Sequence, residues 1–136
     1  MSKVKSIAVV AARVVLGLIY FVFGLNFFLN FLSMPQPTLS ASAQAYVTGL
    51  FQSGFFFPML KGIEVVLGAL LLVGALVPLS LVILMPISLN ILLYHTILAP
   101  EGAPMGIVIF AVHLFLAWAY RDAYKPLFKV KTAASL

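Results

Sequence analysis

The chain has no cysteine among its 136 residues and only three acidic side chains, Glu64, Glu101 and Asp122. The first absence excludes disulfides, thiolate nucleophiles and cysteine-held zinc or iron–sulfur clusters. The second, beside eight Lys and Arg, leaves 8% of the chain charged, where an ordinary soluble domain carries roughly a quarter. So few charges cannot clothe a chain that is 64% hydrophobic with a mean hydropathy of +1.19. Its solvent is the lipid bilayer. Most of the basic residues behind the net charge of +5 sit at the two ends of the chain, where they bear on topology; no nucleic-acid partner is expected.

Each spanning helix takes about 20 residues, so roughly four fill this length and leave no room in it for a soluble catalytic domain. The expected fold is all-α: an integral membrane four-helix bundle forming a single domain over residues 1–136. The first apolar run covers about 7–32, interrupted by Arg13, Asn26 and Asn30. At roughly 39 Å it exceeds a ~30 Å hydrocarbon core and must tilt or protrude. Lys3 and Lys5 imitate a signal-peptide start, but the run is too long for one and holds Arg13 within it, so an uncleaved helix is expected. Pro35 and Pro37 stop helix one from continuing. Over 38–52, Leu39, Ala43, Tyr46, Val47 and Leu50 then recur at helical spacing without a single charge. That pattern predicts a short amphipathic helix capping the bundle rather than a solvated loop. Further spans are expected at about 55–77, 78–98 and 104–121, with Pro78 in the first turn of the third and Pro86 kinking it.

Lys3 and Lys5 precede the first span, and Arg121, Lys125, Lys129 and Lys131 follow the last, while the two long connections carry no basic residue. The positive-inside rule then puts both termini in the cytoplasm, as an even span count requires. Trp118, Tyr120 and Tyr124 suit an aromatic belt at that interface.

An ionisable group in a span costs about 2.5–3.5 kcal/mol on insertion scales, so each needs a reason. Counted from the outer surface by helix rise, Lys61 lies at ~6 Å, Glu64 at ~10 Å, His95 at ~5 Å, Asn90 at ~12 Å and His113 at ~10 Å. Asn26 and Asn30 fall in the same layer. Polar groups from all four spans thus share the outer half, and a polar cluster facing a bundle interior is a binding site by default. Lys61, Glu64, Asn90, His95, His113 and Asn26 are the candidate ligand-binding residues. The competing reading is a structural polar layer that fixes helix register. Asn90 and His95 also lie about 140° apart around an ideal helix, so the Pro86 kink must help both reach one centre. Arg13, Gly17 and Gly24 on one face of the first span, and Gly62, Gly68 and Gly74 in the second, read as packing positions. Arg13 is expected to reach the inner headgroups or to pair with Asp122.

Two histidines in one half of a bundle raise bis-histidine haem. The depth offset would demand a tilted macrocycle, and Lys61 is the one outer cation for its propionates, so haem is not expected. Glu64, His95 and His113 have facial-triad ligand types, but no two share a helix at ligand spacing, so no metal is expected either. Ser88 and His95 share a face two turns apart, beyond hydrogen-bond reach, which argues against serine-type catalysis.

Four stretches together resemble the DoxX-like family of small bacterial membrane proteins: RVVLGLIYFVFGLN from Arg13 to Asn26, FPMLKGIE from Phe57 to Glu64 with the VVLGALLLVG that follows to Gly74, NILLYH from Asn90 to His95, and AWAYRDAYKP from Ala117 to Pro126. The resemblance runs over nearly the whole chain. It implies a four-helix bundle in the bacterial inner (cytoplasmic) membrane and, for some relatives, a subunit role in quinone-linked oxidoreduction. Many relatives carry a lysine where this chain has Asn26. The resemblance also extends to the fold of vitamin K epoxide reductase, whose chemistry needs the cysteines absent here.

Two functions follow. In the first, a redox-associated subunit binds a quinone or other lipophilic ligand, with Phe55, Phe56 and Phe57 near the entrance and a partner oxidoreductase bringing the electrons. In the second, the chain is a non-enzymatic scaffold or assembly partner whose polar layer is structural. A transporter ranks third, because a bundle this small would have to oligomerise to provide inverted halves. A homodimer is expected only if the glycine faces are not spent inside the bundle.

Overall fold

The computed structural model describes residues 2–136, and among them every regular element is helical. Helix α1 covers Lys3–Leu29, α2 Ala41–Gln52, α3 Phe56–Val73, α4 Val77–Leu93 and α5 Ala103–Ala119. A π turn over Tyr94–Leu98 extends α4, and a short 3-10 turn at Pro100–Gly102 leads into α5. Four helical stretches, Lys3–Leu29, Phe56–Val73, Val77–Leu98 and Pro100–Ala119, are long and apolar enough to cross a membrane. The protein is a multi-pass membrane protein, an all-α bundle with a short amphipathic helix between its first and second spans.

The helix ends differ from the expected ones for local reasons. Ser2 caps α1, its side chain accepting from the Lys5 N–H, so the helix begins before the apolar run does. It stops at Asn30, which takes left-handed backbone (φ 49°, ψ 48°), two residues short of the end of the run. The Asn26 Oδ1 accepts from the Leu32 N–H at 2.7 Å and ties down the departing chain. Helix α3 ends earlier than expected as well, at Gly74 (φ 77°). There Ala75 N–H bonds back to the Leu70 carbonyl at 3.0 Å in a Schellman-type stop. Leu76, also left-handed at φ 49°, completes the reversal into α4.

The spans form an up-down-up-down ring in which α1 touches α3 and α5, and α4 touches α3 and α5. The α1–α3 seam is the most extensive. Its closeness comes from glycine. A Cβ on Gly68 would lie 2.5 Å from the Phe21 nitrogen, and one on Gly17 would lie 3.0 Å from the Gly68 carbonyl oxygen. One on Gly24 would lie 2.8 Å from Val65. These three glycines are spent inside the bundle. Gly62, expected to pack in the same way, meets nothing within 4 Å. The core below the seam takes Leu16 and Tyr20 from α1, Leu67 and Leu71 from α3, Leu81 and Leu84 from α4, and Ile109 and Leu116 from α5.

Arg13 does not pair with Asp122. Its guanidinium lies against Gly74, at the negative end of the α3 dipole. Asp122 is paired instead with Lys125 at 2.6 Å, and this hydrogen bond holds its exposed carboxyl below the usual carboxylate range. The last helical turn, Arg121–Phe128, is fastened to the α3–α4 reversal by the Tyr124 hydroxyl, which donates to the Pro78 carbonyl at 3.1 Å.

The seam predicts opposite outcomes for two glycines of one helix. Gly68→Val is expected to destabilise the bundle by about 1–3 kcal/mol or more through overpacking. Gly62→Ala is expected to leave the midpoint of thermal unfolding, followed by circular dichroism in detergent, unchanged or slightly raised. Equal shifts for the two would refute the seam as drawn.

Candidate functional site

Helices α3 and α4 are tied at one end by the three-residue reversal at Gly74–Leu76, yet their seam, like that of α1 with α5, is sparse beside the other two. They part toward the opposite end, where α2 lies across them. Between the three is a cavity of about 580 Å³, within the size range of small-molecule sites. Its walls are largely apolar, including Leu60, Ile63, Ile83, Ile87 and Pro86. Ile83 and Met59 on its lining remain 41% and 50% exposed, so the cleft opens sideways into the region that lipid occupies.

The roof is α2. Its cap, the Ser40 side chain, accepts from the Ala43 N–H and donates to the Leu98 carbonyl at 3.2 Å, stitching α2 to the end of α4. Ala43 is fully buried, and Tyr46, Val47 and Leu50 face the cavity as the apolar spacing predicts. The Tyr46 hydroxyl donates to Asn90 Oδ1 at 2.9 Å, and its ring lies 5.7 Å from that of Tyr94. Phe51 packs on Phe57 at 4.5 Å between ring centres, and Phe57 in turn lies against Phe27 of α1. Phe56 and Phe57 line the cavity, whereas Phe55 is exposed outside it.

Four of the six candidate residues border this space: Lys61, Glu64, Asn90 and His95. Lys61 and Glu64, one turn apart on α3, form an ion pair at 2.9 Å through Glu64 Oε2, with Glu64 only 3% exposed. Glu64 is the buried member of the pair and Lys61 the partly exposed one, so removing Lys61 would leave a buried carboxylate uncompensated. His95 forms part of the rim. Its Nδ1 bonds the Ile91 carbonyl at 2.8 Å, and its Cδ2 edge lies against Gly102. The same ring borders a second, smaller cleft of about 290 Å³ beneath the 37–40 loop. The wide π turn beginning at Tyr94, closed by the Ala99 N–H to the Tyr94 carbonyl at 2.9 Å, belongs to this rim. Asn90 and His95 both border one space despite their separation on an ideal helix.

The other two candidates lie elsewhere. Asn26 spends its carbonyl on the end of α1. His113 is fully buried in the core, where its Nε2 bonds the Leu81 carbonyl at 2.9 Å and its Nδ1 bonds Ser88 Oγ at 2.6 Å. Ser88 in turn bonds the Tyr20 hydroxyl. The directions follow from what each group can do. A carbonyl only accepts, so the neutral ring carries its proton on Nε2; Nδ1 then accepts from Ser88, and Ser88 accepts from Tyr20. This chain links α1, α4 and α5. Tyr20 is not among the polar candidates in the sequence, and Ser88 is weighed there only against His95 rather than His113. The usable signal was Tyr20 on a glycine-rich packing face, since a buried phenol needs a partner.

Among the described residues no three His, Cys, Asp or Glu side chains gather at metal-binding distance. Compared with family models, curated proteins and solved structures, the chain matches none.

The buried chain predicts a ranking. Ser88→Ala strands both the Tyr20 hydroxyl and His113 Nδ1, each at about 1–3 kcal/mol. Tyr20→Phe leaves Ser88 still donating to His113 and is expected to cost less. Thermal unfolding of the two variants checks the order; a larger loss for Tyr20→Phe would contradict the assigned bond directions.

Proposed function

We propose that this chain is a small DoxX-like membrane subunit that takes a lipophilic ring ligand of the quinone type from the bilayer. In this reading a partner oxidoreductase supplies the electrons, and the bundle supplies binding and orientation. The observation that carries it is the lateral cleft between α3 and α4, apolar along its walls and open on the lipid side, with polar groups at one end. A site entered through lipid selects ligands that dissolve in lipid. Its polar end, with Lys61, Glu64 and the Asn90 amide, can orient a head group, as the few placed polar groups of a small-molecule pocket do.

A structural scaffold or assembly partner is the second reading. The internal pairing of Lys61 with Glu64 and of Tyr46 with Asn90 favours it, because polar groups that satisfy one another also fix helix register. Mass spectrometry of material co-purifying with the protein separates the two. Under the ligand reading the wild type carries a quinone or similar ring lipid. Ile83→Trp, which crowds the cleft mouth, loses that ligand at unchanged thermal stability, and Glu64→Gln retains less of it. Identical co-purifying lipid in all three proteins leaves the scaffold.

The basic residues at the two chain ends support placing both termini in the cytoplasm of a bacterial cell, with α2 and the cleft in the outer half of the inner membrane. The absence of cysteine makes this directly measurable. In intact cells Glu101→Cys should react with a membrane-impermeant maleimide, and Ala134→Cys should react only after lysis. The reverse pattern inverts the topology.

A further inference from the structure

The donor and acceptor inventory of the cavity narrows its ligand further, on the premise that the cleft binds a lipophilic ring at all. Lys61 engages one oxygen of Glu64, Oε2. Glu64 Oε1 has no hydrogen-bond partner among the described residues, and an ammonium has three N–H bonds, of which two remain. Asn90 has its carbonyl oxygen occupied by Tyr46 and its amide N–H bonds unspent. Beside the Lys61 and Asn90 donors, the charged end of the cavity therefore offers one strong acceptor, a carboxylate oxygen, while His95, its Nδ1 spent on the Ile91 carbonyl, stands at the rim against Gly102.

Charge gives the second constraint. Lys61 and Glu64 cancel, so the polar end is neutral as a whole while holding two full charges in a low-dielectric wall. An anionic head would meet Glu64, and a cationic head would meet Lys61, each adding an uncompensated charge to a place where charge is expensive. A head with acceptors alone, such as an oxidised quinone, would satisfy Lys61 and Asn90 but leave Glu64 Oε1 desolvated and unbonded.

We infer that the cleft selects an uncharged, hydroxyl-bearing ring of the hydroquinone type, in preference to the oxidised quinone and to anionic amphiphiles. The ring O–H donates to Glu64 Oε1, and a ring oxygen accepts from Lys61 Nζ. The apolar tail leaves past Ile83 toward lipid. Glu64 is the element that discriminates, because a carboxylate can only accept.

The test uses the full-length protein in lipid nanodiscs and three probes with one alkyl chain in common: an alkylhydroquinone, its dimethyl ether and an alkyl sulfonate. Competition read by native mass spectrometry should rank the hydroquinone about tenfold or more above the ether, the worth of one hydrogen bond to a charged group. The sulfonate should bind more weakly than the hydroquinone. In Glu64→Gln the advantage over the ether should shrink, and the sulfonate should gain affinity because Lys61 is left unpaired. Equal binding of hydroquinone and ether, or a sulfonate bound as well as the hydroquinone, overturns this inference and leaves the cavity reading standing. Binding of none of the three overturns both. The wild-type ranking decides the matter alone should the variant fail to fold.

Discussion

The contact on which the molecule turns is the approach of two backbones, α1 and α3, across Gly17, Gly24 and Gly68. In lipid there is no hydrophobic drive between helices, so close packing of small residues has to supply the association. Here it makes one tight pair from which the other helices hang. Helix α5 is held to α4, and both to α1, by the Tyr20–Ser88–His113 chain and its end on the Leu81 carbonyl. The sparse seam between α3 and α4 holds the cavity, and α2 roofs it.

The polar residues inside the bundle divide by how fully they are satisfied. His113 has both ring nitrogens bonded and Ser88 bridges two neighbours, so that group is closed and locks three helices. At the cleft the accounts stay open: Glu64 keeps one oxygen unpaired and Lys61 keeps two of its N–H bonds. A fully satisfied network rigidifies the helices it joins. The same residue chemistry is thus fully spent in one layer and left with free donors and a free acceptor in the next.

Much of the architecture was legible in the apolar runs. Their lengths gave four spans, and the uncharged helical spacing of Ala43, Tyr46, Val47 and Leu50 gave the capping helix in its observed place. Depth counting brought Lys61, Glu64, Asn90 and His95 to one level but could not see direction around the helix axis. That is why Asn26, turned to the end of its own helix, and His113, turned into the core, were grouped with them. Gly62 and Gly68 look alike in sequence; which one meets a neighbouring backbone depends on the rotation of α3 against α1. The stops at Asn30 and Gly74 depend on left-handed backbone, which an apolar run does not announce. Nor did the spacing of Arg13 and Asp122 reveal that each had a nearer companion.

The tie at Gly74–Leu76 and the glycine seam together make α3 the fixed wall of the cleft. Its 18 residues measure about 27 Å along the axis. Arg13 rests against Gly74 at the tied end, and toward the other end Gly24 meets Val65 and the Lys61 carbonyl, so α3 is held against α1 over most of that length. Lys61 and Glu64 therefore stand on a helix whose position is set by its other neighbour, and a small side chain on α1 fixes where the polar end of the cleft lies.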